Sequence, residues 1–240
     1  MNGIMGKCGF MMRAIRSLVT RGFIGSLDLC YTIAEEKLFD LRYSTDTAGH
    51  VLLQSLTISG HNAKKGIEYQ PTRVRPFRGL IRNLRFPEGS VFVDFGCGKG
   101  RVMMLAAELG FNKVVGVEFA KELCLKARNN IEIYLAQSYA TANLVVVETD
   151  ATQYIIKDDE NVFYFFHPFS ADVMRVVLKN ICESLFRSPR KVYILYHEPS
   201  VCSTAPIALS RKVIEEQSAV FVLSHRRDYS GGVFLVYITR

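Results

Sequence analysis

Apolar positions along the chain follow two alternating periods, and this alternation predicts a parallel α/β fold. Short runs rich in β-branched and aromatic residues precede longer segments in which apolar residues recur at helical spacing. Strands separated by helices favour a sheet whose strands run parallel. The predicted strands cover residues 91–93, 113–118, 144–149, 162–166 and 192–196. The helices that follow four of them cover 102–109, 121–135, 171–186 and 209–216.

The two ends of the chain depart from this alternation. Two further β-type runs, 219–225 and 232–238, flank residues 227–231, which we interpret as a hairpin loop. Before the first strand, the pattern predicts helices over 27–41 and 74–84, with Leu38 and Leu41 as inward contacts of the earlier one. A helical extension over residues 1–69 and a main domain over 70–240 are therefore expected.

Composition places the chain among ordinary globular proteins. It has 240 residues, of which 49% are hydrophobic and 22% charged, so one large α/β domain with an appendage is expected. The six cysteines form no C-x-x-C pair, so neither a metal site nor a disulfide framework is predicted, and a reducing compartment is the default. Every apolar run of about 18 residues is interrupted by charge, so no transmembrane span is expected.

The formal net charge of +7 is concentrated in one segment. Between Lys64 and Arg85 the chain carries seven basic residues against one acid, Glu68. Such a patch fits nucleic acid, an acidic protein or an anionic membrane, and the alternative is a solvated helix face.

Residues 1–27 contain no acid but four basic residues, with apolar residues at helical spacing. Three interpretations remain open: an organelle-targeting segment, a helix lying on a membrane surface, or a helix that packs on the domain or on a partner. The segment has few hydroxyl residues, so packing or docking is favoured. A cytoplasmic location is expected, with organelle targeting or peripheral membrane association as the alternatives.

The first strand leads into a glycine loop, Asp94-Phe95-Gly96-Cys97-Gly98-Lys99-Gly100-Arg101. Glycines let the backbone turn sharply and approach a ligand closely. A dinucleotide fingerprint needs its third glycine at the position of Arg101, so a nicotinamide dehydrogenase is disfavoured. The spacing suits a small cationic ligand, with Asp94 facing the positive charge and loop amides binding a carboxylate. Cys97 lies near a helix N-terminus, where the pKa of a thiol falls.

The motif acid-x-Gly-x-Gly-x-Gly at 94–100 resembles the first motif of the class I S-adenosylmethionine-dependent methyltransferases, and the resemblance extends over about 70–240. The stretches 46–49, 98–101, 116–119 and 168–169 resemble a group of little-characterised bacterial methyltransferase-like proteins. The resemblance implies S-adenosylmethionine as cofactor. It also implies a doubly wound, mostly parallel seven-stranded sheet with an antiparallel C-terminal hairpin.

The same resemblance assigns cofactor contacts to the ends of the next strands. Glu118, 20 residues beyond Gly98, would accept hydrogen bonds from the ribose hydroxyls. Asp150 would accept from the adenine amino group while the amide of Ala151 meets the ring, although Asp150 also suits a helix N-cap. Tyr69 and Thr72 are candidates for cofactor or acceptor contacts, with loop packing as the alternative.

The acceptor side is assigned to His167-Pro168-Phe169. Amino-group methyltransferases of several kinds carry Asn/Asp-Pro-Pro-aromatic here, so this chain has His in place of Asn and one proline fewer. His167 would accept a hydrogen bond from an amine or take its proton, and the alternative is a buried structural histidine. His197 and Glu198, after the fifth strand, are further candidates. Residue 201 is Val, which excludes a zinc-protease motif.

Three functions are compatible with these residues. The first is N-methylation of a macromolecule, with protein lysine favoured over RNA or DNA. The others are a catalytically silent methyltransferase-fold binding module and a small-molecule methyltransferase. Lys99 and Arg101 are predicted to lie on a helix surface, where Arg101 could pair with an acid.

Overall fold

The computed structural model describes residues 27, 30–31, 34–49, 51, 70–138, 140–167, 169–199, 205–229 and 231–240, with the backbone alone at 205–209. Its helices are α1 (34–43), α2 (Val74–Arg82), α3 (Arg101–Glu108), α4 (Lys121–Ser138), α5 (Ala171–Arg187) and α6 (Ala205–Glu216). Its strands are β1 (Val91–Phe95), β2 (Lys113–Glu118), β3 (Asn143–Glu148), β4 (Glu160–Phe166), β5 (Tyr193–Pro199), β6 (Phe221–Tyr229) and β7 (Gly232–Thr239).

The strands form one seven-stranded sheet in the order β3-β2-β1-β4-β5-β7-β6. Strands β1 to β5 pair in parallel, and β7 pairs antiparallel with both β5 and β6. The direction of winding reverses between β1 and β4, so the carboxyl ends of these strands open onto the crevice where doubly wound sheets bind ligands. The predicted doubly wound sheet with its antiparallel C-terminal hairpin is confirmed.

Helices cover both faces of the sheet. On one face, α2, α3 and α4 pack over a core that includes Phe77, Phe92 and Tyr164. On the other face, α5 and α6 pack over a core that includes Phe95 and Phe165. All five residues of β1 are buried, as expected of a central parallel strand that is covered on both sides. None of the helices within the described residues is long and apolar enough to cross a membrane.

Strands β5 and β6 extend further than their apolar runs predicted. Strand β5 continues through Pro199, because Pro199 still pairs with Gly232 of β7. Residues 227–229 lie in β6 and not in the hairpin loop, because the β7 ladder continues to the pair Tyr229 and Gly232. Pairing with β7 therefore extends both strands into polar residues that the apolar pattern alone does not assign to a strand.

Helix α1 turns a different face inward from the predicted one. Leu38 and Leu41 are 62% and 75% exposed, whereas Phe39 and Tyr43 are buried. The ring of Tyr43 lies 4.9 Å from that of Tyr134 in α4, so these two aromatic residues hold the helix on the domain. The amphipathic pattern predicted for residues 1–26 lies outside the described residues.

Arg101 is buried, which corrects the expectation of a helix-surface residue. Its side chain is 1% exposed, and its Nε donates to Thr47 Oγ1 at 2.7 Å. Its other guanidinium nitrogens lie 3.7 Å from an Asp40 carboxylate oxygen and 4.0 Å from one of Glu36. Helix α1 and the segment after it cover this side of α3, so a residue that looks solvated in the sequence becomes a buried cation.

Residues 45–49, which we call the strap, are tied to the glycine loop and to α4. The amide of Asp46 donates to Asn130 Oδ1 at 3.0 Å, and Asn130 Nδ2 donates to the carbonyl of Lys99 at 3.0 Å. Lys99 Nζ donates to the carbonyl of Ala48 at 2.8 Å. Two stretches that begin 52 positions apart, Asp-Thr-Ala-Gly at 46–49 and Gly-Lys-Gly-Arg at 98–101, therefore form one hydrogen-bonded unit.

Replacing Arg101 with Met should lower the free energy of unfolding by about 3 kcal/mol, because Asp40 and Glu36 would lose their buried cation. Urea unfolding measures this change. The matched control is Arg78→Met, which removes an arginine whose ion pair with Glu108 is about one-fifth exposed and should cost less than about 1 kcal/mol. Equal losses in the two variants would show that the Arg101 network adds nothing beyond a surface ion pair.

Candidate active site

The site begins at the end of β1, with a carboxylate that has no counter-charge. Asp94 is 2% exposed, and no described residue donates a hydrogen bond to it or forms an ion pair with it. Burial raises its pKa well above the ordinary value, and the neighbouring carboxylate of Glu118 raises it further. A buried acid in this state gains free energy from any cationic ligand that reaches it.

The glycine loop after β1 is turned tightly against β2. Gly96, Gly98 and Gly100 have φ values of 80°, 53° and 85°, the left-handed region that glycine adopts without strain. The amides of Gly96 and Cys97 donate to the Val117 carbonyl, and the amide of Gly98 donates to Glu118. In this geometry, three amides that the sequence analysis reserved for a ligand carboxylate are bonded within the protein.

Glu118 orders this loop from the end of β2. Its carboxylate accepts hydrogen bonds from the amides of Gly98, Phe119 and Ala120 at 2.9–3.0 Å. Burial raises the pKa of Glu118, and these three donors act in the opposite direction. A carboxylate has about four acceptor positions, so one remains for a ligand hydroxyl.

Cys97 lies in the loop as predicted, but the predicted fall of its pKa is wrong. Burial raises the pKa of the thiol well above its ordinary value, and the carboxylates of Glu118 and Asp94 raise it further. A Cβ added to Gly116 would lie 2.7 Å from the Cys97 sulfur, so the thiol fills the space above that glycine. Negative neighbours and loss of water outweigh the nearby helix N-terminus.

Asp150 acts as the N-cap that the sequence analysis offered as an alternative. Its Oδ1 accepts from the amide of Thr152 at 2.9 Å and from the Thr152 hydroxyl at 2.7 Å, at the start of the 3₁₀ turn Ala151–Gln153. A helix cap and a ligand contact can coexist on one carboxylate. The contacts of Asp150 and Ala151 with adenine therefore stay predictions.

At the end of β4, His167 combines a strained backbone with a buried ring. Its φ is 44°, which is uncommon for a residue other than glycine, and its side chain is 3% exposed. Nδ1 lies 2.7 Å from the Tyr196 hydroxyl, whereas the buried Nε2 has no partner in the described part of the chain. Burial lowers the pKa of His167 to about 4, so the ring is neutral at neutral pH.

The predicted acceptor motif has two further residues, Pro168 and Phe169. Pro168 lies outside the described residues. Phe169 is buried, and its ring meets Phe165 edge to face at 6.1 Å, while its carbonyl accepts a hydrogen bond from Ser210. Phe169 thus contributes to the core beneath the site, and its contact with an acceptor stays a prediction.

His197 and Glu198 both have protein partners, because β5 extends past them. The two ring nitrogens of His197 are hydrogen-bonded to the hydroxyls of Tyr164 and Tyr229, and the ring is stacked between Phe166 and Phe234 at 4.2 Å from each. Burial, with smaller effects from Arg73 and His167, lowers the pKa of His197 well below its ordinary value.

Glu198 forms a salt bridge with Arg211 of α6 at 3.1 Å. In this geometry neither His197 nor Glu198 has the unpaired buried atom that His167 has, and their catalytic roles stay predictions.

The predicted contact residue Thr72 is also engaged inside the protein. Its hydroxyl lies 3.0 Å from that of Tyr164, which continues the hydrogen-bonded chain through His197 to Tyr229. Tyr69 lies outside the described residues. Among the described residues no cluster of His, Cys, Asp or Glu side chains could hold a metal ion.

The tyrosines that hold the two histidines were not predicted as site residues. Tyr164 and Tyr196 lie in strands rich in apolar residues and look like core aromatics. The feature of the sequence that could have identified them is the tyrosine hydroxyl, since a buried tyrosine normally finds a hydrogen-bond partner and a phenylalanine needs none. Which partner it finds depends on strand register, which was not evident from the sequence.

The sheet order and the buried acids at the switch point can be compared with known proteins. No family model matches the chain. The solved magnesium protoporphyrin IX methyltransferase of Synechocystis PCC 6803, with bound S-adenosylmethionine, is 15% identical with a TM-score of 0.50 over 70% of this chain and 77% of that one. The chain has the class I methyltransferase fold. The resemblance drawn from the glycine loop is confirmed at this level.

Two curated relatives align with shorter parts of this methyltransferase-fold chain. Protein arginine N-methyltransferase 1 of Dictyostelium discoideum is 31% identical over 85 residues, 34% of this chain and 25% of the relative. A protein-lysine N-methyltransferase of Saccharolobus islandicus is 33% identical over 67 residues, 28% of this chain and 42% of the relative. The chain thus matches less than half the length of either relative.

The buried neutral state of His167 predicts a pH dependence of stability. Folding lowers the pKa of His167 to about 4. Between about pH 6.5 and pH 4 the ring is therefore protonated in the unfolded chain and neutral in the folded protein. Stability from this ring is therefore full above pH 6.5 and is lost as the pH falls. Between pH 7 and pH 5, wild type should lose about 1–2 kcal/mol more unfolding free energy than His167→Asn. Equal losses in urea titrations would contradict the buried neutral ring.

Proposed function

We propose that the protein is an S-adenosylmethionine-dependent methyltransferase. The observation that carries this proposal is Asp94, a carboxylate buried without a counter-charge at the switch point of the sheet. A protein that bound nothing there would carry the cost of this burial without compensation. The sulfonium and amino group of S-adenosylmethionine are positive, so the residues present fit this cofactor.

The contacts of this chain with the cofactor follow from the same residues. Asp94 would hold the positively charged methionyl portion, the remaining acceptor position of Glu118 would bind a ribose hydroxyl, and Asp150 would receive the adenine amino group. The cofactor supplies a methyl group that is already activated by the positive sulfur. The protein then has to bind the cofactor and the acceptor, orient them and exclude water, since positioning can supply much of the acceleration.

We assign the acceptor to the end of β4, where buried polar atoms lack partners. His167 Nε2 and Ser170 Oγ are both buried, and neither has a hydrogen-bond partner among the described residues. An unpaired buried polar atom costs about 1–3 kcal/mol, which an acceptor group bound there would recover. A nitrogen acceptor suits this pair because it offers N–H donors beside a lone pair.

The state of His167 bears on which nitrogen is methylated. With a pKa of about 4, the ring cannot take a proton from a lysine ammonium, whose ordinary pKa is about 10.4. The amino group of a nucleobase or of a carboxamide is unprotonated at neutral pH and does not need this proton transfer. This geometry favours such an acceptor over the protein lysine that the sequence analysis placed first. The named relatives act on protein, which supports a macromolecular acceptor.

Cofactor binding should depend on Asp94 and on pH. Calorimetric titration of S-adenosylmethionine should show about 10–100-fold weaker binding by Asp94→Asn, the loss expected for one charged contact. Since burial raises the pKa of Asp94 in the free protein and a cation favours its charged form, affinity should increase as the pH rises. Affinity that is unchanged in the variant and independent of pH would argue against this assignment.

Methyl transfer should depend on His167 while cofactor binding does not. The protein is incubated with methyl-labelled S-adenosylmethionine and a lysate divided into protein, RNA, DNA and small-molecule fractions. His167→Ala should bind the cofactor normally and transfer label at least 100-fold more slowly. Asp94→Asn is the control in which cofactor binding is weakened. Full turnover by His167→Ala would remove His167 from the mechanism.

The same experiment separates the alternative functions. Label in the small-molecule fraction would favour a small-molecule methyltransferase. Cofactor binding with label in no fraction would favour a catalytically silent binding module. The buried carboxylate of Asp94 argues only against a module that binds no cofactor, because such a site would gain nothing from a buried acid that no cation compensates.

A further inference from the structure

The basic surface of α2 is completed by an arginine that is distant in sequence. Arg75, Gly79 and Arg82 lie on one face of α2, because residues four and three positions apart are neighbours on a helix. Arg227 of β6 reaches this face, and its guanidinium donates to the carbonyl of Gly79. We call Arg75, Arg227 and Arg82 the arginine row.

Gly79 makes this arrangement possible. A Cβ at position 79 would lie 2.6 Å from the Nη2 atom of Arg227 and 2.9 Å from its Cζ. A glycine in the middle of a helix costs about 0.5–1 kcal/mol relative to alanine. In return, the guanidinium of Arg227 lies against the helix between Arg75 and Arg82, with about 5–6 Å between neighbouring positions on the helix face.

The three arginines are exposed at the protein surface. No described acid forms an ion pair with any of them, although Glu35 lies within electrostatic range of Arg75. Arg75 also lies over the ring of Tyr31. The neighbouring arginines differ, because Arg78 is paired with Glu108 and Arg226 with Asp228. The row is therefore a cationic surface distinct from the ion-paired arginines around it.

Strand register places the row close to the acceptor residues. Phe166 pairs with His197, His197 with Phe234, and Phe234 with Arg227, so these four residues form one line across the sheet. At about 4.8 Å per strand, Arg227 is about 14 Å from Phe166, which precedes His167. A flexible chain of a few monomers spans that distance.

We propose that the arginine row binds backbone phosphates of a single-stranded nucleic acid whose base reaches the acceptor site at His167. This inference rests on the proposed methyltransferase function and names its partner. Guanidinium groups bind phosphate with paired hydrogen bonds, and a line of them fits a polymer with regularly repeated charge. Because His167 is buried, a nucleobase reaches it only when it is unpaired and unstacked.

The first experiment measures binding of the full chain to fluorescein-labelled 20-nucleotide RNA and DNA by anisotropy, at several salt concentrations. The triple variant Arg75→Gln, Arg82→Gln, Arg227→Gln should bind at least 10-fold more weakly. Its slope of log affinity against log salt should be smaller by about 2, since each lost phosphate contact removes about 0.7 for a single strand. The matched control replaces Arg175, Lys179 and Arg187 of α5 with Gln, which removes the same charge from the opposite face of the sheet.

A second variant tests the geometry without changing the charge. Gly79→Ala should displace the guanidinium of Arg227 and weaken nucleic-acid binding several-fold, while alanine stabilises the helix itself. Melting temperatures of both row variants show whether they are folded. The double variant Arg75→Gln, Arg82→Gln leaves the Arg227 contact intact and should give an intermediate loss.

Several outcomes would overturn the inference. Equal weakening by the α5 triple would show that only net charge matters. Failure to bind RNA and DNA, or equally tight row-dependent binding of a polyglutamate peptide or of anionic phosphatidylglycerol vesicles, would exclude nucleic acid as the specific partner. Calorimetry with S-adenosylmethionine separates the two proposals. If the arginine row binds nucleic acid but the protein does not bind the cofactor, the methyltransferase proposal fails and the assignment of the row as a nucleic-acid surface is kept. If the protein binds the cofactor but the row does not bind nucleic acid, only the assignment of the row fails.

Discussion

The burial of two acids at one edge of a parallel sheet is the constraint on which the site depends. Asp94 and Glu118 lie at the ends of adjacent strands, and burial raises the pKa of both. The carboxylate of Glu118 raises the pKa of Asp94 further. Three backbone amides donate hydrogen bonds to the carboxylate of Glu118, whereas Asp94 has no hydrogen-bond or ion-pair partner among the described residues. One acid thus holds the glycine loop in place, and the other remains for a positive ligand. Burial raises the pKa of the Cys97 thiol, and the same two acids raise it further.

Two buried histidines on neighbouring strands differ in whether their hydrogen-bond partners leave a ring nitrogen available to a substrate. The ring nitrogens of His197 are both bonded to tyrosines and its faces are stacked, so it holds β4, β5 and the C-terminal hairpin together. His167 is fixed through one nitrogen by Tyr196 and has the other unpaired. Burial lowers both pKa values, but only His167 keeps an atom that can pair with an acceptor.

Contacts between distant segments complete the architecture around this edge. Arg101 brings α1 and the strap onto α3 through Asp40 and Thr47, next to the glycine loop. On the outer face of α2, Gly79 leaves room for Arg227 of the last hairpin. Both arginines are held by residues more than 50 positions away in the chain, one in a buried network and one on an exposed surface.

The sequence by itself determined the strand–helix alternation of a parallel sheet, the hairpin, and the positions of Asp94, Glu118 and His167 at strand ends, because apolar periodicity and glycine spacing are local properties. The doubly wound order was expected only from the family resemblance. Only the tertiary structure decided that Arg101 is buried, that the Cys97 pKa rises, that His197 is fully partnered and that Arg227 lies on α2. Each of these depends on which distant groups meet and how much water they lose. Burial and charge neighbours are set by packing and strand register, and the local sequence pattern contains neither.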